Sequence, residues 1–334
     1  MKRNTKEESK IKYIILAILT VITIVIIFIG MQKEKSIIAQ NKKAVEEINI
    51  DDNNNETGNP TSTNTIISCW GDALTFGAGG DGVNYPSELV NLTNMTVYNY
   101  GFDGETTNLI AARQGGISLY AKEFTIPATK DAVEIVLYDK LGSKYVFKNE
   151  TDANTLNPCK INDIEGNITY NRDTKKMYFT RTSEGEEVKV KAGTQLFTNH
   201  MLNKDDKKDE VLVIFTGNDE KTDIDEIIKT QKKMIKYANT DKYIVIGVTK
   251  DDSLYENTVL KKEYGSHFLN IKKYLIQNGL KDANITATKQ DKADVGNSII
   301  PTSLRSEGIN GNSTYYKLVA QQVFNKINEL GYLK

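Results

Sequence analysis

Three short runs of this chain are apolar almost without interruption: Thr65 to Trp70 (TIISCW), Val211 to Thr216 (VLVIFT) and Tyr243 to Val248 (YIVIGV). Each breaks off into a loop rich in glycine or small polar residues, and a fourth run, Thr96 to Tyr100 (TVYNY), alternates before a loop of the same kind. Strands this short with apolar side chains on both sides need cover on both faces, which is the situation of a parallel sheet between helix layers. Helical patterns supply that cover. Ile224, Ile227, Ile228, Gln231, Met234 and Ile235 recur on one helix face, and Tyr316, Val319, Ala320, Val323, Phe324, Ile327 and Leu330 recur on another. The expected fold class is therefore α/β, a parallel sheet with helices on both faces and ligand loops at the carboxyl ends of its strands.

Between Tyr100 and Val211 the pattern changes. EFTIPA, AVEIVLYD, KYVFK, NITYN, KMYFTRT and EVKVKAG are short, alternating and bounded by turn residues. They read as an inserted all-β module over residues 116–209, which divides the α/β domain into residues 65–115 and 210–334. No internal repeat is visible in the module.

The sequence before Thr65 has a different logic. Tyr13 to Met31 (YIILAILTVITIVIIFIGM) is apolar throughout and about long enough to cross a bilayer as a helix. Gln32, Lys33, Glu34 and Lys35 follow where a signal peptide would carry small residues for cleavage, so an uncleaved transmembrane anchor is expected. Lys2, Arg3, Lys6, Lys10 and Lys12 precede it. That excess of positive charge places a cytoplasmic tail at residues 1–12 and the bulk of the chain outside the membrane. Residues 32–64, rich in Asn, Asp and Thr, read as a polar linker.

Composition narrows the chemistry. Lys and Arg total 43 against 44 Asp and Glu, a balance that points to no nucleic-acid partner. Two cysteines, Cys69 and Cys159, are too few for a disulfide framework or a zinc site, no metal cluster is visible and no cofactor is expected. Only His200 and His267 are available to any mechanism that needs an imidazole base.

The loops after the strands carry four blocks in order: GDALTFG (Gly71 to Gly77), NYGFDGETT (Asn99 to Thr107), TGND (Thr216 to Asp219) and SLRSEGINGN (Ser303 to Asn312). In order and context they resemble the SGNH/GDSL hydrolases. The resemblance covers about Ile66 to Gly331 apart from the module, and the NPCKINDIEGN stretch (Asn157 to Asn167) resembles an insertion in a cell-surface subgroup of that family. It implies a flavodoxin-like sheet and an esterase or acylhydrolase ancestry. In family members the residue after the GD pair is the nucleophilic Ser, and a DxxH block before the last helix supplies the base and its orienting carboxylate. Here those three places hold Ala73, Asn310 and Glu307. Alanine has no group that attacks an acyl carbon, and a side-chain amide does not take up and return a proton near neutral pH.

The oxyanion donors that the resemblance implies are the backbone N–H groups of Ala73 and Gly104 and the side-chain amide of Asn218. Thr216 stands where the family has a small Gly, which implies a narrower pocket. The reading favoured by the sequence is a catalytically inactive homologue that binds an acylated carbohydrate or another cell-envelope ligand. Two alternatives stay open: an active esterase using a non-standard set, with Ser68 or Thr75 as substitute hydroxyls, and a scaffold that acts through the β module.

Overall fold

A computed structural model describes residues 65–148, 150–204, 209–218, 221–308 and 310–333. The tail, the apolar run at 13–31 and the linker expected at 32–64 lie outside the described residues. Among the described residues no helix is long and apolar enough to cross a membrane.

Five strands form one parallel sheet: β1 (Thr65–Gly71), β2 (Val97–Gly101), β3 (Asp209–Phe215), β4 (Tyr243–Ile246) and β5 (Phe268–Leu269). Their spatial order is β5-β4-β3-β1-β2, which is the flavodoxin-like order. The chain steps one way from β1 to β2 and then returns to lay β3 on the other side of β1. The loops after β1 and β3 therefore diverge and open a crevice between the carboxyl ends of these two strands.

Seven helices matter to that sheet: α1 (Ala73–Phe76), α2 (Tyr85–Thr93), α3 (Thr107–Gln114), α4 (Ile224–Ala238), α5 (Leu254–Tyr264), α6 (Lys289–Gly296) and α7 (Ser313–Glu329). Alternation along each strand feeds two separate cores. Ile67, Cys69, Val211, Val213 and Phe215 pack with α2 and α7, whereas Trp70, Leu212, Ile214 and Val245 pack with α3, α4 and α5. Both faces are covered, as continuous apolar strands require. The helix patterns hold in detail: Ile224, Ile227, Ile228, Gln231 and Met234 are buried in α4, as are Tyr316, Val319, Ala320, Val323 and Ile327 in α7.

The segment between β2 and β3 is built differently. Its strands form a seven-stranded antiparallel sheet, from Val133–Ile135 at one edge to Leu137–Tyr138 at the other, and a separate two-stranded ribbon of Phe124–Ile126 with Val188–Val190. The core of this part is its own, centred on Ile126, Ile161, Ile168 and Phe179, but Leu109 and Ala112 of α3 belong to it as well. One helix thus shows an apolar side to each core, since Ile110 and Ala111 face the sheet. The two parts belong to one compact unit.

The loop that leads into α7 is held by carboxylates of α6. Asp291 accepts hydrogen bonds from the backbone and side chain of both Thr288 and Ser303, and Asp294 accepts from the backbone and hydroxyl of Thr302. Burial pushes the Asp291 carboxyl up, but the donors from Ser303 and Thr288 outweigh it and hold its pKa at about 2. This fixes the course of the fourth sequence block between α6 and α7.

Candidate functional site

The crevice is organised by one carboxylate. Asp72 leaves β1 and caps α1: its Oδ1 accepts from Leu74 N–H at 3.1 Å, and its Oδ2 accepts from the backbone N–H of Asn218 at 3.3 Å. A short polar side chain at an N-cap meets helix N–H groups that have no other partner. Here the second oxygen also reaches the loop after β3 and ties the two sides of the crevice. Ala73 follows as the first residue of α1, 3% exposed, and presents a methyl group. The helix is kept to a single turn by Gly77, whose φ of 98° lies in the left-handed region and where a Cβ would strike Asn84.

Asn218 is buried, and its Oδ1 accepts from Thr249 N–H at 2.8 Å and from Thr249 Oγ1 at 3.1 Å. These bonds fix which way the amide faces. Its Nδ2 is buried and has no hydrogen-bond partner among the described residues. Leaving such a donor unsatisfied costs about 1–3 kcal/mol, which a fold tolerates where the donor has a use. The narrowing expected from Thr216 is not what its contacts show: its Oγ1 accepts from Gln231 Nε2 of α4 at 3.1 Å, and Gln231 in turn accepts from Tyr264. The strand alternation sends this side chain under α4.

The second block presses on α1, because a Cβ on Gly101 would lie 2.1 Å from the backbone nitrogen of Phe76. Gly104 sits beyond it at φ 79°, exposed, with open space where a side chain would stand. The fourth block forms a tight turn in which Ser306 N–H donates to Asn310 O and Asn310 N–H to Glu307 O, both at 3.0 Å. It packs on the loop after α1: Gly79 has no room for a Cβ against Ser306, and Tyr316 Oη donates to Ala78 O at 2.6 Å. Glu307 is exposed, and Asn310 Oδ1 is buried without a partner among the described residues. The loops carrying Ala73, Asn218 and Asn310 thus share one end of the sheet with the Gly104 turn beside them, while Asp219 of the third block lies outside the described residues.

The two phenols at this end, Tyr315 and Tyr316, are not proton acceptors at neutral pH. Burial raises the phenols of Tyr315 and Tyr316 well above their ordinary range, and the nearby Asp72 charge adds to it, so both stay protonated at neutral pH. His267 lies at the opposite end of the sheet, stacked on Tyr243, the first residue of β4. Its Nδ1 is 3.0 Å from Tyr243 O and 2.8 Å from Tyr332 Oη. His200 lies edge-on to Trp70 and Tyr100, with ring centroids 4.5 and 4.9 Å apart. The alternative hydroxyls are engaged elsewhere: Ser68 donates to Glu210, and Thr75 pairs with Tyr85 in the core at 3.4 Å. Cys69 and Cys159 are free thiols, both buried. Among the described residues no group of His, Cys, Asp and Glu is placed to hold a metal ion.

His200 belongs to a cluster that sequence reasoning missed. Glu105, directly after Gly104, receives Arg113 Nε at 3.0 and 3.1 Å and Nη2 at 2.6 Å, and the guanidinium stands 5.0 Å above the Trp70 ring. The only cue in the sequence was a charged residue on the otherwise apolar side of α3. Burial lowers the His200 pKa to about 4, and the charges of Arg113 and Lys204 add to the effect. The folded value lies below the ordinary 6.5, so the neutral ring contributes stability that is present above pH 6.5 and is lost as the pH falls toward 4. A pH series of thermal melts should show that loss, and His200→Phe should flatten it.

No family model and no curated protein matches this chain. Among solved structures, a protein provisionally described as a lipolytic protein of the G-D-S-L family, from Desulfitobacterium hafniense DCB-2, is similar at a TM-score of 0.39 and 12% identity. The match covers 79% of this chain and 99% of that one.

Proposed function

We propose that this chain is a membrane-anchored, extracytoplasmic protein with an SGNH/GDSL-type pocket that binds an acylated carbohydrate or another cell-envelope ligand without hydrolysing it. The four motif blocks and the flavodoxin-like strand order support the ancestry, and the apolar run at 13–31 supports the anchor. One observation carries the functional part. Among the described residues the pocket keeps a buried donor without a partner, Asn218 Nδ2, while the neighbouring nucleophile position is the methyl group of Ala73. Preorganised donors attract the partial negative charge of an ester or acetyl oxygen whether or not a nucleophile follows.

The test is equilibrium binding of the full-length chain to an O-acetylated oligosaccharide and to its deacetylated form. The acetylated form should bind three- to tenfold more tightly, on the order of one neutral hydrogen bond. Asn218→Asp should abolish the preference, because it keeps the acceptor that Thr249 uses and replaces the donor with an oxygen. Equal binding of the two forms, or release of acetate, would overturn the reading.

A further inference from the structure

On the α3 and α4 side of the molecule, away from the pocket around Asn218, a cleft of about 700 Å³ opens between the α/β layer and the antiparallel part. Its walls are uneven in charge. Lys229, Lys233 and Lys236 come from α4, Lys140 comes from the 139–144 turn opposite, and the one acidic residue in the lining is Asp139. The helical lysines are spaced i, i+4 and i+7, so they form one row roughly 10 Å long at 1.5 Å rise per residue. Lys229 is partly neutralised by Glu226 at 3.3 Å, and no ion pair is formed by Lys140, Lys233 or Lys236 among the described residues. Like charges so spaced repel one another on a helix. A row of lysines on a convex surface is ordinarily a solvated face, but this one lines a concavity.

The rest of the lining suits a hydroxylated ligand. Tyr237 forms part of the cleft wall, held against Gly115, where a Cβ would meet its ring at 2.3 Å. Asp139 Oδ1 is taken by the N–H groups of Leu141 and Ser143, both at 2.9 Å, which leaves Oδ2 for a ligand hydroxyl. The cleft also continues. A second hollow of about 350 Å³ shares Ile117 and Asp139 with it and runs past Asn108, Ser143 and Lys144 to Thr106, two residues from Gly104. We propose that this groove is a binding site for an acidic oligosaccharide, whose carboxylate or phosphate groups lie along Lys140, Lys233 and Lys236 and whose hydroxyls meet Asp139 and the neighbouring amide and hydroxyl side chains. Lysines bind such anions as point charges without demanding one geometry. The lysine cleft shares no residue with the pocket around Asn218, so its test is independent of acetyl recognition.

The experiment measures binding of the full-length chain to a short oligogalacturonate, its neutral methyl ester, a phosphate-bearing oligosaccharide and a single-stranded oligonucleotide of equal charge. At least one acidic sugar should bind, at least tenfold more tightly than the neutral ester, and more weakly as salt is raised, because exposed charges are screened. Lys233→Glu with Lys236→Glu should weaken that binding at least tenfold. The same charge change on α6, Lys289→Glu with Lys292→Glu, should alter it less than twofold. All four side chains are exposed, and unchanged melting temperatures would show that the fold is intact. Equal binding of the neutral ester, equal losses in the two double variants, tighter binding of the oligonucleotide, or no binding of either acidic sugar would each overturn the proposal.

Discussion

Incubated with a small acetyl ester, the full-length chain should turn over about a millionfold more slowly than a serine–histidine hydrolase, since removing the nucleophile or the base of such a set costs roughly 10⁶ and the remaining donors give only about 10³ to 10⁴ over water. The reason is local. Ala73 occupies the first turn after the Asp72 cap, and Asn310 occupies the turn that packs on the loop following it. The two histidines stand elsewhere, His267 at the far end of the sheet and His200 under Trp70 and Tyr100. Ala73→Ser alone should restore little, because no base would take its proton. Ala73→Ser with Asn310→His and Glu307→Asp should give measurable turnover. Initial rates of acetate release check this, and turnover by the unmodified chain that disappears on changing Ser68 or Thr75 would contradict it.

The second large effect concerns stability. Arg113→Met should destabilise the protein by about 3–5 kcal/mol, the usual cost of stripping one partner from a buried ion pair. The Glu105 side chain is wholly buried and Arg113 is 10% exposed, and the guanidinium also donates to Tyr100 O at 2.8 Å. Burial raises the Glu105 pKa, and Arg113 pulls it back only in part. Without Arg113 the carboxyl should rise further, so the variant should regain stability on acidification, as a group with a raised folded pKa holds its proton more tightly when folded. Glu105→Leu combined with Arg113→Met should cost much less than either change alone, because the pair is then replaced rather than broken. Denaturant midpoints at pH 5 and pH 8 give both comparisons.

The sheet and its long helices were legible because their signals are strong. Runs such as VLVIFT have no polar side to expose, and α4 and α7 keep their apolar periods over 15 and 17 residues. The antiparallel part was harder. Leu119–Ala121, Cys159–Ile161 and Thr194–Phe197 are strands of three or four residues, too short for a period of two to stand out. KYVFK alternates like a strand yet forms only an isolated bridge at Lys144. The motif loops could be placed from the strands before them, but the partners of their side chains could not. That Asp72 reaches the Asn218 backbone and that Thr216 turns under α4 follow from the lateral order of β1 and β3, which the amino-acid pattern does not state. The same holds for the lysine groove, whose walls come from segments about 90 residues apart in sequence.

The most direct measurement treats the full-length chain with a fluorophosphonate that labels activated hydroxyl groups covalently, and reads the mass of the intact protein. With a methyl group at Ala73, and Ser68 and Thr75 engaged with Glu210 and Tyr85, the mass should remain that of the unmodified chain. A stoichiometric adduct that maps to any serine or threonine near Asn218 would contradict this, because it would show an activated nucleophile in the pocket.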